Sequence, residues 1–229
     1  MTPAYPGPTA HEEPLPTVLL TGFDAFGADR LTAQPVNPSW LAVQALHGGE
    51  LAGHTVVAAQ LPTVFATATM ALLQQIKLHR PALVVCVGQA GGRAALSVER
   101  VAVNLVEAHI PDNAGDQPHD RHVMPGAPAA YFSTLPVVAI VRALHAAGLP
   151  AELSYSAGAF VCNHVFYGLM HALAQHPDLK AVRGGFIHVP YLPSQGLPNL
   201  PLTDTILGLR LAVACALGSG NRLADATAL

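Results

Sequence analysis

The chain has 229 residues, of which 51% are hydrophobic and 11% charged, against a usual charged share of about 25%. That balance is ample for a buried core and excludes global disorder. A formal net charge of −3 leaves no basic footprint for a nucleic-acid backbone, so no nucleic-acid partner is expected. With so few charges the surface is unusually apolar, and part of it is expected to be covered in a homo-oligomer.

Positions 1–16 hold five prolines and two glutamates without lysine or arginine, and read as a flexible leader. This segment lacks the basic start and apolar centre of an export signal. Residues 17–218 read as a single domain and 219–229 as a tail. Thr17 to Thr21 is a short apolar run ending in Gly22, the pattern of a buried strand. Asn37-Pro38 opens a helix, with asparagine as the cap and proline in the first turn. Thr55 to Ala59 reads as a second strand and Ala66 to Lys77 as a helix. The charge-free stretch from Thr55 to Ile76 contains Gln60, Pro62, Gln74 and Gln75, so it does not match a bilayer span of about 20 apolar residues. No membrane partner is expected.

Ala82 to Val87 is a fully apolar strand closed by Gly88, and Val98 to Asn104 alternates as a less buried strand. From Leu105 to about Thr134 the pattern disappears, and so long an irregular segment in a compact domain points to function. A helix enters through Pro136, carrying Val138, Val141, Leu144 and His145. Glu152 to Ser156 follows as a strand, Cys162 to Gln175 as a helix, Gly185 to Val189 as a last strand, and Thr203 to Leu217 as a terminal helix. Strands alternating with helices imply an α/β class, a three-layer α/β/α sandwich with a mainly parallel twisted central sheet.

The three cysteines, Cys86, Cys162 and Cys215, are odd in number and far apart, which argues against a disulfide framework and for a reducing, cytoplasmic setting. Cys86 and Cys215 sit inside apolar runs as small buried hydrophobes. Cys162 instead stands at a helix start, where the positive end of the dipole lowers a thiol's pKa and free N–H groups can hold an oxyanion. Among the histidines, position favours His188, at the end of a strand where open α/β sheets gather ligands. Asp112, Asp116, His119, Asp120 and His122 crowd the irregular segment. Their spacing matches no helical zinc pattern, so a solvated loop and no metal are expected. Gly88-Gln-Ala-Gly-Gly92 lacks the full glycine spacing of a phosphate-binding loop.

Taken together, several motifs resemble the pyrrolidone-carboxylate peptidase family, also called pyroglutamyl peptidase I. They are Thr21-Gly-Phe-Asp-Ala-Phe-Gly27, Asn37-Pro-Ser39, Gly88-Gln-Ala-Gly-Gly-Arg93 and Glu99-Arg-Val-Ala-Val-Asn104. They continue with Ile110-Pro-Asp-Asn113, Ala130-Tyr-Phe-Ser-Thr-Leu-Pro136, Ala157-Gly-Ala-Phe-Val-Cys-Asn163 and His188-Val-Pro190. The match runs in order from about Val18 to Ala216.

The resemblance implies a cysteine peptidase that removes an N-terminal pyroglutamyl residue from peptides, without cofactor or metal. Its catalytic residues would be Cys162 as nucleophile, His188 as base and Glu99 as third member. Its substrate pocket would include Phe23, Phe26, Gln89, Ile110, Phe160 and Val161, with backbone groups at Phe26 and Gln89 meeting the ring amide. A tetramer or dimer is implied as the assembly. Two alternatives stay open: a related cysteine amidase for another small acyl group, and an inactive pyroglutamyl-binding protein.

Two positions depart from the family pattern. Ala28 stands where a second glycine is common, and His109 where arginine is usual. A histidine titrates near neutrality, so charge at that position varies with pH. The expected outcome for His109→Arg is faster turnover or a flatter pH–rate profile; an unchanged rate and profile would remove the significance of this departure.

Overall fold

The computed structural model describes residues 15–27 and 36–218. Most of the expected leader, the departure at Ala28 and the expected tail lie outside the described residues. The sheet builds from an interior strand, β1 (Thr17–Phe23), which pairs in parallel with β3 (His54–Leu61) on one side and β4 (Leu83–Gln89) on the other. Such a strand is covered on both faces, and the apolar run of β1 meets that demand: Val18 and Leu20 face one layer, Leu19 and Phe23 the other. Strand β9 (Arg183–Val189) joins β4 in parallel, and the short β2 (Glu50–Leu51) lies antiparallel on β3. Beyond β9, β5 (Leu96–Glu99) runs antiparallel, with β8 (Ala151–Ser154) parallel to it at the edge. The order is β2-β3-β1-β4-β9-β5-β8, a mainly parallel sheet of the expected class.

Helices α1 (Pro38–Gln44), α3 (Val137–Ala146) and α5 (Leu202–Ala216) cover one face, packing Val43, Ile140 and Val213 onto Val85, Val98 and Ile187. Helices α2 (Phe65–His79) and α4 (Val161–Gln175) cover the other, where Leu72, Val165 and Phe166 meet Leu19, Val84 and Phe186. Asn37 caps α1 as expected: its Oδ1 accepts from Ser39 N at 3.0 Å and from Ser39 Oγ at 2.8 Å.

The strand expected from Val98 to Asn104 is two strands. At Arg100 the backbone N–H donates to Ser154 O while the carbonyl accepts from Ser133 N, so the chain leaves the main sheet there. It continues as β6 (Val101–Val103), which pairs antiparallel with β7 (Ala130–Phe132) in a separate ribbon. Nor is β5 half exposed, because the sheet face under Ser97 and Glu99 is covered too.

Between β6 and β7 the chain carries no helix or named strand, yet it is stitched down by side chains. Asn104 accepts from Met124 N and donates to Met124 O and Ala127 O. Asp112 is buried and acts as a remote cap: its Oδ2 accepts from Phe65 N at 2.9 Å, the first residue of α2, whose own N-cap Val64 offers no side-chain acceptor. The other oxygen accepts from Ala114 N and Asp116 N, at 2.8 and 3.0 Å. Asp112→Ala therefore strands three N–H donors and should cost about 2–3 kcal/mol in urea denaturation, whereas exposed Asp116→Ala should change stability by less than about 0.5 kcal/mol.

Candidate active site

Register on three adjacent strands brings the candidate residues to one place. Gly88 of β4 lies opposite His188 of β9, and on the other side of β9, Glu99 of β5 lies opposite Phe186. Partners in register point to the same face, and alternate residues of one strand share a face. Cys86, Gly88, Phe186, His188 and Glu99 thus all face the α2–α4 layer, near the carboxyl ends of β4 and β9.

Glu99 and His188 are enclosed, at 0% and 3% exposure, and His188 Nδ1 donates to Glu99 Oε1 at 2.8 Å. Arg93 Nη1 reaches the same oxygen at 2.8 Å, while Oε2 is buried without a hydrogen-bond partner among the described residues. Burial alone would raise the Glu99 pKa. The His188 hydrogen bond and charge, the Ser154 hydroxyl and the Arg93 guanidinium outweigh it, and the carboxyl is held below its ordinary value.

Cys162 is the second residue of α4, in the turn whose N–H groups lack intrahelical acceptors. Its sulfur sits against the strand: a Cβ on Gly88 would fall 2.8 Å from Cys162 Sγ and 2.8 Å from Phe186 Cζ. Glycine at position 88 is thus what lets the sulfur approach the sheet face that carries His188. The thiol is half-buried, and its resting state differs from the sequence expectation. Burial, then the charges of Glu99 and Cys86, push it up to about 12, against opposing effects of Arg93 and its own backbone N–H. Desolvation outweighs both favourable effects.

The next residue fixes the helix start. Asn163, fully buried, accepts from Val103 N at 3.0 Å and donates to Val103 O at 2.9 Å and Leu105 O at 3.0 Å, clamping β6 to α4.

Aromatic residues gather beside this constellation. The Phe26 and Phe160 rings lie 6.0 Å apart, and Phe65, which sequence reasoning missed, meets Phe160 edge-on at 5.2 Å. Phe65 carries no motif signal; only its place at the start of α2, under the Asp112 cap, brings it here. Ile110 is exposed, with its Cδ1 3.3 Å from where a Cβ on Gly27 would stand. Phe23 and Val161 are enclosed in the core behind, Phe23 at 6.4 Å from the Phe186 ring. Gln89 is buried, and its Oε1 lies 3.4 Å from Gln195 Nε2, a second residue the sequence did not single out.

The loop carrying Phe26 is held by neutral amides. Asn37 Nδ2 donates to Asp24 O at 2.9 Å, and Asn113 Nδ2 donates to Ala25 O at 2.9 Å and to Asp24 Oδ1 at 3.1 Å.

The other candidates fall elsewhere. Asp112 is a cap, and His119 Nδ1 pairs at 2.7 Å with Glu107, both on the surface. His109 is exposed and near enough to Glu107 to help lower its pKa, behind the stronger effects of His119 and the Asp120 N–H. Among the described residues no three His, Cys, Asp or Glu side chains are grouped to hold a metal ion. No helix of the described residues is long and apolar enough to cross a membrane. A cavity of about 770 Å³ lined by Leu73, Ile76, Arg80, His176 and Leu179, among others, shares no residue with the Cys162–His188–Glu99 group.

Known proteins align with this arrangement over nearly the whole chain. The family model described as pyroglutamyl peptidase matches residues 16–219. A pyrrolidone-carboxylate peptidase from Cupriavidus taiwanensis is 55% identical over 210 residues, covering 90% of this chain and 94% of the relative. The crystal structure of Bacillus amyloliquefaciens pyroglutamyl peptidase I superposes with a TM-score of 0.83 at 46% identity, covering 89% of this chain and 97% of that one. A mutant pyrrolidone carboxyl peptidase from Pyrococcus furiosus gives 0.82 at 37% identity, covering 88% and 98%. By sequence and by fold, this chain is a member of the pyroglutamyl peptidase family.

Proposed function

We propose that the protein is a cysteine peptidase that hydrolyses the bond after an N-terminal pyroglutamyl residue, with Cys162 as nucleophile, His188 as general base and Glu99 as the carboxylate that orients it. The observation that carries this reading is the buried 2.8 Å bond from His188 Nδ1 to Glu99 Oε1, on the sheet face against which Cys162 Sγ packs. An ionised carboxylate only accepts, so Nδ1 carries the proton and Nε2 is left to take one from the thiol.

With the thiol pushed up to about 12, Cys162 is protonated at rest, and its proton passes to His188 as sulfur attacks the pyroglutamyl carbonyl carbon. The N–H groups of the first turn of α4 are the donors for the developing oxyanion. The imidazolium, steadied by Glu99, protonates the departing amine and leaves a thioester on Cys162. Water, deprotonated by His188, then releases pyroglutamate.

A pyroglutamyl ring is flat and uncharged and has no α-ammonium to anchor. Phe26 and Phe160 suit its faces, Ile110 the rim, and Phe23 and Val161 the packing behind, with backbone groups at Phe26 and Gln89 meeting the ring amide. We take residues 17–218 as one domain. The free cysteines favour a reducing, cytoplasmic setting. Exposed apolar side chains such as Met70, Leu78 and Phe132 favour a homo-oligomer.

Pyroglutamyl and prolyl chromogenic amides, each with and without a thiol alkylator, test the activity. Alkylator-sensitive release from the pyroglutamyl amide alone is expected. Cys162→Ala should lower kcat by about 10⁴-fold or more and Glu99→Gln by about 10²–10⁴-fold. Release from neither amide, or undiminished turnover in Cys162→Ala, would sink the reading.

The resting thiol makes a separate pH prediction. Since the thiolate fraction grows with pH up to a pKa of about 12, iodoacetamide should alkylate the free protein ever faster between about pH 7 and pH 10. A plateau reached below about pH 8 would instead mean a preformed thiolate.

A further inference from the structure

We propose that Arg93 is a positioning residue for the reaction: its guanidinium fixes the Glu99 carboxylate for His188 and ties it to the segment that leads into the Cys162 helix. This rests on the triad reading above and extends it to a fourth side chain.

The turn between β4 and β5 is built to deliver that side chain. Gly91 packs so closely on Tyr191 that a Cβ there would overlap its hydroxyl, and Gly92 takes φ +84, so the chain reverses sharply before Arg93. The guanidinium then makes three bonds. Nη1 donates to Glu99 Oε1 at 2.8 Å and, more weakly, to Ser154 Oγ at 3.4 Å; Nη2 donates to Ser156 O at 2.9 Å. Ser156 precedes Ala157 and the residues that enter α4 at Val161. One planar fork thereby links the carboxylate on β5 to the approach of the nucleophile's helix, which a lysine ammonium cannot copy.

The electrostatics point the same way. A carboxylate at 0% exposure stays ionised only if compensated, and the His188 N–H alone is a modest donor until the ring takes a proton. Arg93 supplies a permanent charge on the oxygen that His188 uses. The groups facing Glu99 are His188 on β9, Ser154 on β8 and Arg93. On the face against which Cys162 packs stand His188 and Cys86, with Glu99 and Arg93 beyond; Glu99 and Cys86 oppose the thiolate and Arg93 favours it. Removing the guanidinium should let Glu99 protonate at higher pH and make the thiolate harder to form.

Full-length Arg93→Met and Arg93→Lys test this by two readouts: the pH profile of pyroglutamyl-amide turnover, and the rate at which iodoacetamide alkylates Cys162, followed by mass spectrometry. For Arg93→Met, kcat should fall about 10–100-fold with KM within about twofold, the acid limb should rise by about one pH unit, and alkylation at neutral pH should slow about tenfold. Arg93→Lys should restore the acid limb but not the full kcat, because the link to Ser156 is lost. If Arg93→Met is merely less stable in urea, with acid limb and alkylation rate unchanged, the role is structural and the proposal falls. Should that variant not fold, Arg93→Gln is judged by the same two measurements. A wild-type protein that ignores pyroglutamyl amides would overturn the substrate reading, while the alkylation rates still decide the role of Arg93.

Discussion

Everything at this site depends on keeping one buried carboxylate charged. Glu99 has no solvent exposure, and an ion so placed would normally take up a proton. Two donors on a single oxygen, His188 Nδ1 and Arg93 Nη1, each at 2.8 Å, tip the balance the other way. The pairing is possible only because β5 turns against the direction of its neighbour β9, bringing the end of β5 to Phe186 and its carboxylate to the next side chain on that face, His188. A shift of one residue in either register would turn Glu99 toward the α1–α3–α5 layer.

A chain this poor in charge fixes its loops by other means. Asn37, Asn104, Asn113 and Asn163 each spend their amides on backbone groups from distant segments. Asp112 caps a helix from 47 positions away. These bonds hold the Phe26 loop, the start of α2 and the start of α4, with the Asp24 and Asp112 carboxylates spent on backbone N–H groups and a side-chain amide. The result is an aromatic cluster tied in place beside the Cys162–His188–Glu99 group. Long irregular connections usually mean mobility, but this one is pinned along its length by the bridge between Val106 and Arg121 and by Gln117 on Ala108 O.

Much of the architecture was legible in the sequence. Apolar runs such as Ala82 to Val87 mark buried parallel strands, and Asn37-Pro38 marks the capped helix start found at α1. The break at Arg100 was not, because alternation continues through it, and only the tertiary bonds to Ser154 and Ser133 divert the chain. Cys162 and His188 stood out by position, at a helix start and a strand end. Glu99 did not, since a carboxylate in an alternating strand looks like a solvated one; the resemblance to a family singled it out. Phe65 and Gln195 escaped notice because their nearness to Phe160 and Gln89 is purely a product of folding.

The helix dipole at Cys162 shows how a correct local rule loses to its surroundings. The Arg93 charge and Cys162's own N–H favour the thiolate, but desolvation by burial, and then the negative Glu99, act against it more strongly, and the thiol is pushed up to about 12. The carboxylate bonded to His188 thus adds to the burial that disfavours the thiolate. One consequence is chemical restraint: a neutral thiol is a poor target for oxidants and stray electrophiles. Under the roles proposed above, transfer of the proton to His188 turns its 2.8 Å bond to Glu99 into an ion pair, so the charge that opposes the resting anion stabilises the imidazolium. Under those roles the nucleophile is activated only by the arrival of a carbonyl carbon to receive its electrons.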